Sequence, residues 1–160
     1  MRAILLTCCI SVAILAQEDP RGWNKAHWGM STQQVKTQTG AKTFVTTTKS
    51  TDGTLSTNLG LDFELDAKPF RAWFFVDGAV GLQKVELVCR RERGLQLRDY
   101  VNLKAMLTER YGQPFTKPRN ETGTGPFTVL WKLKTTNVWL HYLEGESLNV
   151  TYDRVGVNKL

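Results

Sequence analysis

The sequence predicts an α+β domain: one twisted antiparallel sheet of about seven strands, with two helices packed on one face. Three features of the 160-residue chain carry this expectation. Residues 98–112 place Tyr100, Leu103, Met106, Leu107 and Tyr111 at three- and four-residue steps, the spacing of a single helix face. Nearly every other apolar run alternates with period two, the repeat of a half-buried strand. The connections between those runs are short, which demands antiparallel neighbours.

Length and a 41% hydrophobic content suit one core. Residues 1–16 read as a secretory signal peptide: Arg2, an apolar run to Leu15, and Ala16 before the polar, Pro-containing 17–20. The run is shorter than the roughly 17–25 residues that span a bilayer. Cleavage is expected after Ala16. Cys8 and Cys9 leave with the leader, so only Cys89 remains and no internal disulfide can form. The leader also removes Arg2 and no acid, one positive charge fewer than the +6 of the whole chain. That modest excess favours anionic partners only in general terms.

Residues 17–27 form a polar N-terminal arm, and residues 28–160 the single domain. Ser31 with Gln34 makes a capping box, Met30 and Val35 a hydrophobic staple, and Gly40 ends this first, short helix. From Ala41 the period is two. Residues 42–50 and 54–60 flank Asp52-Gly53, a type I′ hairpin signal, and their Thr-rich arms suit a sheet edge. Leu61, Phe63 and Leu65 alternate with Asp62, Glu64 and Asp66. Residues 70–76 are apolar on both parities and belong near the sheet's middle. After a turn at 77–81, Gln83, Val85, Leu87 and Cys89 share one face and Lys84, Glu86, Val88 and Arg90 the other, with Cys89 inward.

The main helix follows, with Asp99 accepting from its first free N–H groups, and Gly112 and Pro114 ending it. Residues 117–126 are loop. Three strands close the chain, marked by Val129, Trp131 and Leu133, then Val138, Leu140 and Tyr142, then Leu148, Val150 and Tyr152. The order of elements suggests two diverged helix-plus-meander repeats, 28–93 and 94–160.

The 29–35 start (Gly-Met-Ser-Thr-Gln-Gln-Val), followed by helix and meander, resembles small exported α+β proteins: outer-membrane assembly lipoproteins of the SmpA/OmlA type and β-lactamase-inhibitor-like repeats. Tyr111-Gly112-Gln113-Pro114, Trp131 and the closing 148–152 strand resemble uncharacterised secreted bacterial proteins. The resemblance implies a protein-binding role in the cell envelope. Where the lipoproteins carry a lipid-attached Cys, this chain has Gln17 or its neighbours.

No catalytic constellation stands out. His27 and His141 sit in no ligand pattern, and one mature Cys disfavours a thiolate–imidazole metal site. Asp62, Glu64 and Asp66 project to one side at about 7 Å steps; alternation alone yields such a solvated row, while a small hydrolase would use Asp62, Glu64 or His141. Arg90, Arg91 and Arg93, with Lys117 and Arg119 in the loop, form a basic set suited to an acidic protein or an anionic envelope polymer. Export argues against nucleic acid. Trp139 and His141 line an open groove if the helices cover the opposite face, and parity alone does not assign that face. The expected product is a secreted or periplasmic, non-enzymatic protein-binding module. It needs no cofactor and is not an integral membrane protein after cleavage.

Overall fold

The computed structural model describes residues 19–90, 95–116, 118 and 125–156. Its elements are β1 (Gly22–Trp23), β2 (Ala26–His27), α1 (Thr32–Thr39), β3 (Lys42–Lys49), β4 (Ser56–Leu65), β5 (Lys68–Asp77), β6 (Gly81–Cys89), α2 (Leu97–Tyr111), β7 (Phe127–Lys132), β8 (Thr136–Leu143) and β9 (Ser147–Arg154). The last seven strands make one antiparallel sheet in the order β3-β4-β5-β6-β9-β8-β7. The α+β architecture is therefore as expected, with a separate β1–β2 hairpin added. The closing strands of the two halves, β6 and β9, pair at the centre. The leader at 1–16 lies outside the described residues. Among the described residues, no helix is long and apolar enough to cross a membrane.

The first helix forms as its start and stop signals require. Gln34 N–H donates to Ser31 Oγ at 3.3 Å, and Ser31 N–H to Gln34 Oε1 at 2.8 Å. Gly40 closes it in the left-handed region. Val35 is its one buried residue, and α1 leans chiefly on β2. Such a short helix depends on its cap, so Ser31→Ala is expected to cost about 1 kcal/mol. A thermal melt should register this as a fall of about 2–4 °C, with Ser31→Gly much closer to wild type.

The described part of the stretch read as an arm, residues 19–27, is instead a tied hairpin. Trp23 packs on Phe63 and Phe74 at centroid distances of 5.1 and 5.9 Å, and Ala26 is fully buried. Asp19 accepts from Thr135 N–H at 2.7 Å and Thr135 Oγ at 2.8 Å, fastening the segment to the turn before β8. Polar composition concealed one large anchoring ring.

The turns also differ from the expected types. Asp52 lacks the positive φ that a type I′ turn needs; a wider loop over 50–55 is closed by Ser50 N–H to Leu55 O and Gly53 N–H to Ser50 O. The two-residue turn with both φ values positive is Asp66-Ala67, joining β4 to β5. Residues 56–65 are thus one continuous strand. β3 is at the edge, as its composition suggested, but its register slips between Thr43 and Thr48, which leaves Val45 fully exposed. At the opposite edge, the N–H groups of Phe115 and Thr116 both donate to Leu130 O on β7.

A second irregularity sorts β6. Phe75 pairs with Lys84 and Val76 with Leu82, so Gln83 is a bulge residue. Leu82 takes the core position that strict alternation gives to Gln83, while Cys89 points inward as expected.

On the helix face, Tyr100 of α2 meets Phe127 and Tyr142, each at 5.4 Å, and Tyr111 meets Tyr152 at 6.4 Å. Tyr100, Leu103, Leu107 and Tyr111 are buried; Met106 is 42% exposed and lies off the stripe. The helix begins one residue before its expected start. Asp99 sits three positions past the cap, accepting from Gln96 N–H at 3.0 Å and pairing with Lys68 at 3.3 Å. Gly112 ends the helix with a positive φ but an extended ψ, not the left-handed conformation. Trp131 Nε1 donates to its carbonyl at 2.9 Å.

Candidate functional site

With Tyr100 of α2 packed on Tyr142, and Val138 and Leu140 buried on the same face, alternation turns Trp139 and His141 to the other face of the sheet. The ambiguity in the sequence is thereby resolved. The strand registers place three rows across that face: Phe75–Lys84–Asp153–Asn137, Trp73–Glu86–Thr151–Trp139 and Arg71–Val88–Asn149–His141.

The tip of the β3–β4 hairpin folds over this face. Thr51 N–H donates to Glu86 Oε1 at 2.8 Å, and Lys84 Nζ reaches Asp52 Oδ2 at 2.7 Å and Asp153 Oδ1 at 3.4 Å. The result is a groove of about 580 Å³ with the hairpin tip on one side and Trp139 and His141 on the other. Its floor comes from β6 and β9. A volume of this size is within the range of small-molecule and side-chain sites, roughly 300–1,000 Å³.

The electrostatics follow from burial and charge. Burial raises the Glu86 carboxyl above the ordinary carboxylate range, against the bond from Thr51 and the charge of Lys84. Burial likewise raises Asp153, with Lys84 opposing. For Asp52, burial is overcome by hydrogen bonds from Lys84, Ser50 and Thr54, which hold its carboxyl well below the usual value. Burial opposes the charge on Lys84, but the bond to Asp52 and the neighbouring carboxylates win and raise its pKa. Burial lowers His141, so its imidazole is neutral at pH 7. That ring lies 6.0 Å from Trp139 at an interplanar angle of 11°, and its Nδ1 is 3.2 Å from Thr128 Oγ. Thr151 Oγ and Gln83 Oε1 are buried without a protein partner.

The acidic row is in a different place. Asp62 accepts two bonds from Arg71, at 2.6 and 2.8 Å, and one from Arg90 at 3.2 Å. The Arg71 bond leads in holding the Asp62 carboxyl below its ordinary value. Asp62, Glu64 and Asp66 are exposed, as the solvated-face reading has it. From β4 to β8 is four strand spacings, about 19 Å, so Asp62 and His141 cannot act on one bond. Arg90 is exposed and already paired. Arg91, Arg93, Lys117 and Arg119 lie outside the described residues. Among the described residues, no three His, Cys, Asp or Glu side chains are placed to hold a metal ion.

The sequence reading missed Lys84, Glu86, Thr151 and Asp153 as site residues. Charges in a strand next to the both-sides-apolar 70–76 run were the available signal. It also missed a recess of about 550 Å³ bordered by Arg21, His27, Lys134 and Arg154, with Arg154 shared between recess and groove. Comparison of the chain with protein-family models, with curated proteins and with solved structures found no match.

Proposed function

We propose that this chain is an exported, non-enzymatic binding module of the cell envelope that holds a protein partner on the open face of its sheet. The observation that carries the reading is the groove itself: two aromatic rings with buried, unpartnered polar atoms beside them, on the face α2 does not use. Concave sites with an apolar wall and a few placed polar groups are where ligands bind. The Arg2-to-Ala16 leader supports export. A second reading, capture of an anionic envelope polymer, is favoured by the recess of Arg21, Lys134 and Arg154, none of which has an ion pair among the described residues.

A photo-crosslinking residue at position 51 on the hairpin tip, which lines the groove through an exposed side chain, compared with one at the exposed Met106 on α2, tests the main reading in cells that make the full chain. Position 51 should give an adduct of discrete mass in the envelope fraction, and position 106 none. Equal labelling from both positions, or no adduct from 51, would overturn it.

A further inference from the structure

The groove is charged oppositely to the chain that contains it. The whole sequence carries +6, yet the groove is lined by the carboxylates of Asp52, Asp77, Glu86 and Asp153 against the cations Lys84 and Arg154. Lys84 is spent on Asp52 and Asp153, and Arg154 turns a guanidinium nitrogen to Val80 O at 3.4 Å. An anionic ligand would meet this lining with repulsion; a cation would be drawn in.

Two further features narrow the cation. Thr151, the cross-strand neighbour of both Glu86 and Trp139 on the groove floor, is only 4% exposed, and its hydroxyl oxygen has no bond inside the protein. An orphaned acceptor of this kind is costly unless a ligand supplies a donor. Trp139 and His141, nearly parallel, offer flat ring faces along one wall. A planar cation with several N–H donors suits all three features at once: it stacks on an indole, donates in a fork and carries positive charge. An ammonium has the charge and donors but no flat face.

We infer that the groove takes the arginine side chain of a basic peptide segment of the partner, its guanidinium over Trp139 and donating toward Glu86 and Thr151, which lie in the same cross-strand row. This rests on the reading that the groove is the partner-binding surface. The peptide backbone stays outside, between the 51–55 tip and β8.

The test is an NMR titration of the full chain with acetyl-Gly-Arg-Gly-amide, following the Trp139 indole N–H and the Thr151 amide. The citrulline analogue, equal in shape and uncharged, and the lysine analogue serve as comparisons. The arginine peptide should give saturable shifts at those two signals, with affinity about tenfold above citrulline and several-fold above lysine. Glu86→Gln, which keeps size and removes charge, should weaken arginine binding about fivefold or more, and Thr151→Val should weaken it in a spectrum otherwise unchanged. Absence of saturable shifts, or equal affinity for citrulline, would overturn the inference. Adducts from position 51 without arginine binding would sink this inference alone. Arginine binding without any adduct would instead sink the protein-partner reading.

Discussion

Trp131→Ala is expected to remove about 4 kcal/mol of stability, the largest single loss among the changes considered. Trp131 is completely buried on the helix face of β7, so truncation leaves a void that close-packed neighbours cannot refill. It also strips the Nε1 donor from Gly112 O, one of the carbonyls that the end of α2 leaves unsatisfied. The same side chain thus fills the core and stops the helix. Trp131→Phe separates the two roles: it keeps much of the ring and loses the bond, for about 1–2 kcal/mol beyond the packing change. Urea unfolding followed by far-UV circular dichroism measures both. An alanine variant within about 1 kcal/mol of wild type would mean that β7 and α2 are not coupled through this residue.

Lys84→Met is expected to cost about 3 kcal/mol at pH 7.5, the second largest effect. Lys84 is a nearly buried cation facing Asp52 and Asp153 directly, with Glu86 on the same face of β6. Without it, those carboxylates repel each other in a poorly hydrated place, and the hairpin tip keeps only the Thr51–Glu86 bond of the two that tie it to the sheet floor. The pH dependence distinguishes this from simple loss of packing. Glu86 and Asp153 already have raised pKa values from burial, and removing Lys84 raises them further. An acid whose folded pKa lies above its unfolded one loses stability as pH climbs from the unfolded value, about 4, through the folded one. The deficit of the variant should therefore be larger at pH 7.5 than near pH 4, where the Glu86 and Asp153 part has gone and the lost Asp52 bond remains. Asp52 works the other way in the wild type: its depressed carboxyl contributes stability that is present above about pH 4 and lost as pH falls further. Thermal melts of both proteins at the two pH values decide the matter; a deficit that does not change with pH would refute the electrostatic account.

Most of the architecture was legible because it rests on periodicity and on helix signals. Ser31, Gln34 and Gly40 act locally, so their roles survive any tertiary context. Tyr100, Leu103, Leu107 and Tyr111 were read correctly as a buried stripe, whereas Met106 lies beyond the width of the contact with β7–β9. What failed was set by contacts distant in sequence. The Gln83 bulge exists because β5 and β6 change register at Phe75, and no residue pattern within 82–90 announces it. The Asp66-Ala67 turn has none of the Gly or Asn that usually marks positive φ, and Asp52-Gly53, which has the marker, sits in a wider loop. Trp139 and His141 were recognised as a pair on one face. Their partners Glu86 and Thr151 were not, since the β6–β9 pairing joins residues more than sixty positions apart.

The slipped register of β3 has a consequence for the molecule in a crowded solution. A straight outer strand offers an unbroken ladder of amide and carbonyl groups to any second copy, and Thr-rich segments accept such a partner readily. A register that slips by three residues between Thr43 and Thr48, with Val45 thrust into water, denies that template to an incoming chain. What looks like poor pairing at the rim of the sheet guards the protein against growing into fibres.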